Sequence, residues 1–291
     1  MCAEVNSGPV KAVAVVSKGT VDLHPEQVLG SRKPMLWWLL TSRRWVSRPV
    51  NVYVIYHSSG LILFDTGQDR ASVTNPDYYP GGPIGFMYHR VARFDVSPAD
   101  TLTDKLKTLG NSITDVTKVV ISHLHQDHIG GLRELAHAEL VVSSEEWEDM
   151  QKPYATGRGF LRKHIEIPGL KWNRISFRRN DDPALAPFTG SFDLMGDGSL
   201  VLLPTPGHTP GSLSMLVRGS NKSPLLLAGD IGYDTEVMEQ GVISGTGNRR
   251  QLRDTTAKIL KLKDNMPGLT ILTSHDIRAA DKLHNTGWSS L

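Results

Sequence analysis

The stretch Ser122-His123-Leu124-His125-Gln126-Asp127-His128-Ile129-Gly130-Gly131 contains three histidines and one aspartate within six residues. These side chains cannot all point the same way from one helix or strand, but on a loop they can surround one point in space. The two glycines let the chain turn into the next element. Imidazole nitrogen and carboxylate oxygen suit zinc and similar divalent ions. The stretch therefore predicts a metal-binding loop with the ligands His123, His125, Asp127 and His128.

Three further residues of ligand type each lie just beyond an apolar stretch that favours a β-strand. The three are His208 after residues 199–203, Asp230 after 225–228, and His275 after 269–273. The strand predicted over 116–122 likewise ends where the histidine loop begins. Because α/β sheets place their sites at strand ends, we expect all four segments to meet. Two metal ions need more ligands than the loop supplies, and these three residues are the candidates.

The rest of the chain indicates an α/β fold in one domain over residues 1–291. β-Branched and aromatic residues favour strands over 10–16 and 50–56. The turn-like residues 57–60 join the second of these strands to 61–64 in a hairpin. Many strands with a minority of helices between them predict a layered fold with mixed sheets.

Two helices are predicted with defined ends. Ser97 and Pro98 supply a hydroxyl N-cap and a proline in the first turn, which predicts that the first helix begins there. Leucines follow at helical spacing until Gly110-Asn111, where we expect this helix to end. The second helix is predicted over residues 249–263.

Two segments follow neither the helical nor the strand-like pattern of apolar residues. Residues 31–48 are aromatic and basic, and residues 74–95 are rich in glycine, proline and aromatic side chains. Long irregular segments in a compact domain are usually functional or disordered, and the aromatic content argues against disorder. We therefore predict two ordered, irregular insertions with a functional role.

Composition limits the partners and the kind of metal site. A net charge of +2 is too small to predict nucleic acid or an anionic membrane as partner. The longest apolar stretch, residues 35–40, is far below the roughly 20 residues that span a bilayer, so we expect a cytoplasmic protein. Cys2 is the single cysteine, so a metal must be held by histidines and carboxylates.

In order and spacing, the motifs H-x-H-x-D-H, P-G-H-T-P-G, G-D and S-H-D within residues 50–276 resemble those of the metallo-β-lactamase superfamily. The resemblance implies a four-layer αβ/βα sandwich with the site at one edge of two central sheets. It also implies two Zn2+ ions, the first held by His123, His125 and His208, the second by Asp127, His128 and His275, with Asp230 bridging both. Asp65, in Phe64-Asp65-Thr66-Gly67, is implied to orient the metal loop.

A dinuclear centre predicts hydrolysis. It lowers the pKa of a bridging water from about 15.7 towards neutrality and directs the resulting hydroxide at an electrophile. Asp127 is placed to carry a proton to the leaving group. Tyr233, three residues after Asp230, resembles a tyrosine of the N-acyl-homoserine lactonases that reaches the substrate carbonyl. The resemblance implies a quorum-quenching lactonase that opens the ring of N-acyl-homoserine lactones, with Asp127 and Tyr233 as its catalytic residues.

The two insertions supply candidates for an apolar substrate pocket, since an acyl chain needs one. The candidate pocket residues are Gln126, Trp37, Trp38, Phe86 and Met87. Gln126 is a departure from the lactonases, which often have an apolar residue at this position. The same aromatic side chains could instead be buried in a homodimer, and the two uses are compatible. An aryl-ester or organophosphate hydrolase, or another lactone hydrolase of the same superfamily, is the alternative function.

Overall fold

The computed structural model describes residues 8–220 and 222–288, and Cys2 lies outside them. Among these residues, the strands of the first sheet are β1 (Val10–Leu23), β2 (Val46–His57), β3 (Gly60–Phe64), β4 (Ala92–Asp95), β5 (Val116–Val120), β6 (Glu139–Ser143) and β7 (Lys171–Ile175). They lie in the order β4-β1-β2-β3-β5-β6-β7. The pairs from β4 to β3 are antiparallel, and those from β3 to β7 are parallel. The predicted hairpin is confirmed as β2 and β3.

The second sheet is largely antiparallel. Its strands are β8 (Arg178–Arg179), β9 (Gly190–Asp193), β10 (Leu200–Pro204), β11 (Leu213–Gly219), β12 (Lys222–Leu227) and β13 (Thr270–Leu272). They lie in the order β13-β12-β11-β10-β9-β8, and only the pair β12 and β13 is parallel among the pairs described. The two sheets of this fold therefore each contain parallel strands whose carboxyl ends carry the loops of interest.

Helices connect the strands, and several of them lie on the outer faces of the sheets. The α-helices are α1 (Pro25–Leu29), α2 (Met35–Thr41), α3 (Ala71–Thr74), α4 (Gly82–Val91), α5 (Leu102–Thr108), α6 (Gln126–Ile129), α7 (Ser144–Gln151), α8 (Arg162–Ile165), α9 (Thr235–Glu239), α10 (Arg249–Asn265) and α11 (Ala279–Asn285). The apolar faces of α5 and α7 pack on the first sheet, and that of α10 packs on the second.

Side chains alternate between the layers, as the twofold period of a strand requires. In β6, Leu140 and Val142 pack under the outer helices, while Val141 lies between the two sheets. In β10, Leu202 lies between the sheets and Val201 faces α10. Buried on both faces, these strands form the two inner layers of a four-layer αβ/βα sandwich. The fold predicted from the sequence is confirmed.

The first of the predicted helices begins later than expected. It was predicted to begin after Ser97, but α5 begins at Leu102. Thr101 is the N-cap, because its hydroxyl oxygen accepts a hydrogen bond from the Asp104 backbone N at 3.0 Å. The Ser97 backbone N donates to Asp100 Oδ2 at 2.7 Å, which forms a turn instead of the first helical turn. The prediction was wrong because two hydroxyl residues competed for the cap.

The two segments predicted to be irregular contain regular elements. Residues 31–48 include α2, and residues 74–95 include α4 and β4. Arg90 donates from Nε to the Leu39 carbonyl oxygen at 2.8 Å and from Nη2 to that of Ser42 at 2.9 Å. The Arg90 guanidinium thus provides hydrogen-bond donors for backbone carbonyl oxygens at the end of α2. The prediction of irregular backbone was wrong because tertiary contacts, which leave no sequence period, stabilise such short helices.

Within residues 8–220 and 222–288, every helix is too short or too polar to cross a lipid bilayer.

Candidate metal centre

Asp65 fixes the start of the histidine loop. It follows β3 in the left-handed backbone region, with φ of +62°, which aspartate tolerates better than most residues. Its Oδ1 accepts a hydrogen bond from the Ser122 backbone N at 2.7 Å, and its Oδ2 accepts one from Ser122 Oγ at 2.9 Å. The loop that follows β5 is thereby attached to the end of the neighbouring parallel strand. Asp65 lies where the resemblance implies an orienting carboxylate.

The first cluster consists of His123, His125 and His208. His123 Nε2 lies 3.1 Å from His125 Nδ1, which lies 2.9 Å from His208 Nε2. The other ring nitrogens of the first two face Ser122 Oγ at 3.0 Å and the Arg158 carbonyl oxygen at 3.2 Å. Since a carbonyl oxygen only accepts, His125 Nε2 carries the proton and Nδ1 offers a lone pair to the cluster. Three converging imidazole nitrogens match the ligands of a divalent metal ion.

The second cluster consists of Asp127, His128 and His275. His275 Nε2 lies 3.5 Å from Asp127 Oδ2, and His128 Nε2 lies 3.8 Å from Asp127 Oδ1. Both imidazoles are held from the other side of the ring. His128 Nδ1 donates to Asp65 Oδ2 at 2.8 Å, and His275 Nδ1 donates to the Pro49 carbonyl oxygen at 2.9 Å. These bonds direct each Nε2 towards the cluster.

Asp230 lies between the two clusters. Its Oδ1 is 3.5 Å from His128 Nε2 and 3.4 Å from His275 Nε2. Its Oδ2 is 3.7 Å from His208 Nε2 in the first cluster. One carboxylate therefore faces both clusters, one oxygen to each, as a bridging ligand requires.

The residues at this centre fit metal ions. Among the described residues, His128 Nε2, His275 Nε2 and Asp230 Oδ1 are buried and have no hydrogen-bond partner. An unpaired buried polar atom costs roughly 1–3 kcal/mol. Three such atoms directed at one point indicate ligand atoms, and a donor set of nitrogen and oxygen suits a borderline divalent ion such as Zn2+.

The charges at the centre favour a cation. Burial lowers the pKa of His123 well below its usual 6.5 and that of His208 to about 3, so both imidazoles are neutral. Burial also opposes protonation of His275, but Asp230 and Asp127 outweigh it and raise the pKa of His275 to about 10. Carboxylates that attract a proton to His275 attract a divalent cation in the same way, and the cation would displace that proton.

Tyr233 lies beside both clusters. The centroid of its buried ring is 5.4 Å from that of His275 and 6.2 Å from that of His208. Its hydroxyl is 2.9 Å from Thr246 Oγ1. Burial raises the pKa of Tyr233 well above its usual 10, and the Asp230 carboxylate raises it further. The phenol is therefore protonated at neutral pH and can donate a hydrogen bond.

The five predicted pocket residues differ in their surroundings. Gln126 is buried at the start of α6, and its Oε1 has no hydrogen-bond partner within the part of the chain that the structure describes. Trp38 is also buried, whereas Trp37 and Phe86 are 59% and 57% exposed and Met87 is half-buried. Only Gln126 belongs to the histidine loop itself, and the role of all five in a pocket stays a prediction.

Tyr79 is a residue that sequence reasoning did not single out. Its ring centroid is 5.4 Å from that of Tyr88 and 4.9 Å from that of His89. Burial raises the pKa of its phenol, the hydrogen bond with Ser72 lowers this pKa, and the Asp127 carboxylate makes a smaller contribution that raises it. Tyr79 is therefore a second phenol, besides Tyr233, whose pKa is affected by a carboxylate of the candidate metal centre. The aromatic content of its segment was the available signal, but spacing alone does not indicate which ring faces the loop.

Gly159 borders the first cluster and was not predicted either. Its φ is +99°, and a Cβ at this position would lie 2.5 Å from His125 Nε2. Both the backbone conformation and the contact with the imidazole therefore require glycine. Nothing in the local sequence distinguishes this glycine from an ordinary turn residue.

Residues 45–275 match the Metallo-beta-lactamase superfamily, and this range contains all seven residues of the two clusters and the bridging position. The chain belongs to that superfamily and is a metal-dependent hydrolase of ester bonds.

Within the superfamily, the chain is similar to N-acyl homoserine lactonases. The N-acyl homoserine lactonase AttM of Rhizobium radiobacter is 33% identical to this chain over 231 residues. The matched region covers 78% of this chain and 82% of AttM. A mutant of B. thuringiensis AiiA, solved with N-decanoyl-L-homoserine bound at the active site, superimposes with a TM-score of 0.73 at 22% identity, covering 92% of this chain and 94% of that chain. AidC, described as a dizinc quorum-quenching lactonase, has a TM-score of 0.61 at 17% identity and covers 95% and 93%.

Proposed function

We propose that the chain binds two Zn2+ ions. His123, His125 and His208 would hold the first ion, Asp127, His128 and His275 would hold the second, and Asp230 would be a ligand shared by both. Support comes from the convergence of the imidazole nitrogens and from the position of one Asp230 oxygen beside each cluster. The description of AidC as dizinc supports the choice of metal.

We propose that the substrate is an N-acyl homoserine lactone and that the reaction opens its ring. The observation that carries this proposal is the buried, protonated phenol of Tyr233 beside both clusters. A hydrogen-bond donor there suits a carbonyl oxygen that gains negative charge during attack. The identity of 33% with AttM supports the same substrate class.

The residues divide the chemistry of lactone hydrolysis. Two bound divalent ions would supply a water nucleophile at neutral pH and polarise the carbonyl. The water oxygen bonds to the carbonyl carbon, the ring C–O bond breaks, and the ring oxygen becomes the hydroxyl of the open-chain product. Asp127 carries the proton from the water to that oxygen. Tyr233 donates to the carbonyl oxygen, while Thr246 turns its hydroxyl proton towards the phenol oxygen.

The acyl chain is proposed to lie along the apolar side chains of α2 and α4, with Gln126 at the end near the metals. Trp37, Phe86 and Met87 present apolar surface there, and Trp38 supports them from the buried face of α2. The same exposed side chains are also suited to a homodimer interface. Sedimentation velocity at micromolar concentration separates a monomer from a dimer.

The substrate proposal is tested by comparing kcat/KM on three classes of compound. We expect N-acyl homoserine lactones to exceed both simple γ-lactones and paraoxon-type esters by about 10-fold or more, because only the first combine a lactone with an acyl amide. A clear preference for the paraoxon-type or aryl esters would overturn the proposal in favour of an aryl-ester or organophosphate hydrolase.

Tyr233→Phe is expected to lower kcat/KM on an N-acyl homoserine lactone by about 10-fold, equivalent to about 1.4 kcal/mol of transition-state stabilisation. The phenyl ring keeps the packing and removes only the donor. Tyr56→Phe is the matched control, because the Tyr56 hydroxyl accepts a hydrogen bond from Asn111 at 2.6 Å, away from the metal centre. If the two variants retain equal activity, Tyr233 has a packing role only.

A further inference from the structure

Glu146 is a buried carboxylate with no place in the ligand set. It lies in the first turn of α7 and its side chain is fully enclosed. Ser143 and Glu146 have the spacing of a capping box, in which the glutamate would bond back to the backbone N of the serine. The Ser143 hydroxyl does accept from the Glu146 backbone N at 3.0 Å, but the carboxylate of Glu146 extends elsewhere.

The carboxylate joins two loops that carry histidines of the first cluster. Glu146 Oε1 accepts from the Leu124 backbone N at 2.9 Å, between His123 and His125. Glu146 Oε2 accepts from Thr209 Oγ1 at 2.6 Å, and Thr209 directly follows His208. One side chain thus spans the loop after β5, in the first sheet, and the loop after β10, in the second.

The backbone around this carboxylate is packed closely. Glu146 Oε2 also accepts from the Gly211 backbone N at 3.1 Å. The Ser143 hydroxyl donates to the Gly211 carbonyl oxygen at 2.6 Å, and a Cβ at Gly211 would lie 2.0 Å from the Glu146 backbone N. The N-terminus of α7 and the loop after His208 are therefore held in direct contact, so small displacements of Glu146 would be transmitted to that loop.

The burial of Glu146 is costly. Burial raises the pKa of its carboxyl to about 7, although the bonds from Thr209, Leu124 and Gly211 act in the opposite direction. A buried group of this kind costs free energy unless its acceptors are satisfied, and here three donors from two loops satisfy them. An apolar residue of the same size would avoid the burial of a carboxyl group, but it would join neither loop and would leave these three donors without an acceptor.

We infer that Glu146 is a positioning residue that sets the separation of His123 and His125 from His208, and thereby the affinity for the first metal ion. The inference rests on the proposed ligand set. Asp65 has the corresponding task at the second cluster, where it holds His128 directly. Each metal position therefore has its own carboxylate outside the ligand set, Asp65 after β3 and Glu146 in α7.

Glu146→Gln tests the inference, because glutamine keeps the volume but its amide nitrogen cannot accept from a backbone N. We expect one of two bound Zn2+ equivalents to bind about 10-fold to 100-fold more weakly, the range for partners that orient metal ligands. Binding is measured by competition with a chromophoric chelator. Glu145→Gln is the control, because Glu145 is exposed on the same helical turn. This variant should bind both Zn2+ equivalents as tightly as the unchanged protein does.

Thermal unfolding of the metal-free proteins separates positioning from folding. We expect the Tm of metal-free Glu146→Gln to stay within a few degrees of the unchanged protein. Unaltered affinity for both Zn2+ equivalents in this variant would overturn the inference. If the variant does not fold, the pair Thr209→Val and Thr209→Ser decides, because only valine removes the donor to Glu146. Weaker binding in Thr209→Val alone supports the inference, and equal binding in both overturns it.

The unchanged protein distinguishes this inference from the proposed function. If it binds two Zn2+ equivalents and Glu146→Gln binds them equally well, the proposed function stands and the inference fails. If the unchanged protein itself binds fewer than about one equivalent, the ligand assignment fails first.

Discussion

Asp230→Asn is expected to lower kcat/KM on an N-acyl homoserine lactone by about 1000-fold, equivalent to about 4 kcal/mol. Asp230 is buried, with Oδ1 3.4 Å from His275 Nε2 and Oδ2 3.7 Å from His208 Nε2. Asparagine has the same shape, but it removes the negative charge and puts an amide nitrogen towards one of the two clusters. An asparagine amide offers one neutral oxygen and an NH2 group that only donates, so it cannot present an anionic oxygen to each of two divalent ions.

Metal content is the second measurement on Asp230→Asn. We expect the purified variant to hold about one Zn2+ equivalent per chain instead of two, because two divalent cations at neighbouring positions repel each other when no anionic ligand lies between them. Asp254→Asn is the matched control, since Asp254 is an exposed aspartate of α10. This substitution should change neither the activity nor the metal content. Full activity with two metal ions in Asp230→Asn would contradict the bridging role.

Asp65→Asn has the second largest expected effect, a loss of about 100-fold in kcat/KM with weaker metal binding, the upper range for residues that orient metal ligands. Asp65 Oδ2 accepts from His128 Nδ1 at 2.8 Å and from Ser274 Oγ at 3.2 Å, besides its two bonds to Ser122. An amide nitrogen in place of either oxygen would meet a donor. At the Oδ2 position the nitrogen removes the bond that directs His128 Nε2 towards the second cluster, and at the Oδ1 position it removes the bond from the Ser122 backbone N that holds the loop.

The backbone itself is not expected to change in this variant. Asparagine tolerates the left-handed conformation at φ of +62° as aspartate does. Circular dichroism and Tm of the metal-free protein should therefore stay close to those of Asp95→Asn, an exposed control in β4. The idea that Asp65 orients His128 fails if Asp65→Asn retains both its metal ions and its kcat/KM.

The strand ends were predictable because their signals are local. The apolar stretches before His208, Asp230 and His275 are long enough to indicate strands, and the strands β10, β12 and β13 do precede these residues. A short apolar stretch that is buried on both faces has few possible places other than the middle of a sheet. The residue that follows it therefore lies at the carboxyl end of a strand, at the edge of the sheet. The meeting of four strand ends at one centre therefore follows from the pattern.

The supporting residues were not predictable in the same way. Glu146 has the local pattern of a capping box with Ser143, and only the tertiary structure brings it to Leu124 and Thr209. Tyr79 lies in a segment whose helices depend on contacts such as that of Arg90 with the end of α2. These roles come from residues distant along the chain, which one sequence does not reveal.

Titration of the metal-free protein with Zn2+, following hydrolysis of an N-acyl homoserine lactone, tests the dinuclear lactonase most directly. We predict that the metal-free protein is inactive and that activity rises until two equivalents per chain have been added and then stays constant. The proposed set of seven ligands, with Asp230 between the two clusters, predicts this stoichiometry. Hydrolysis by the metal-free protein at the full rate, or a maximum at one equivalent, would contradict the account.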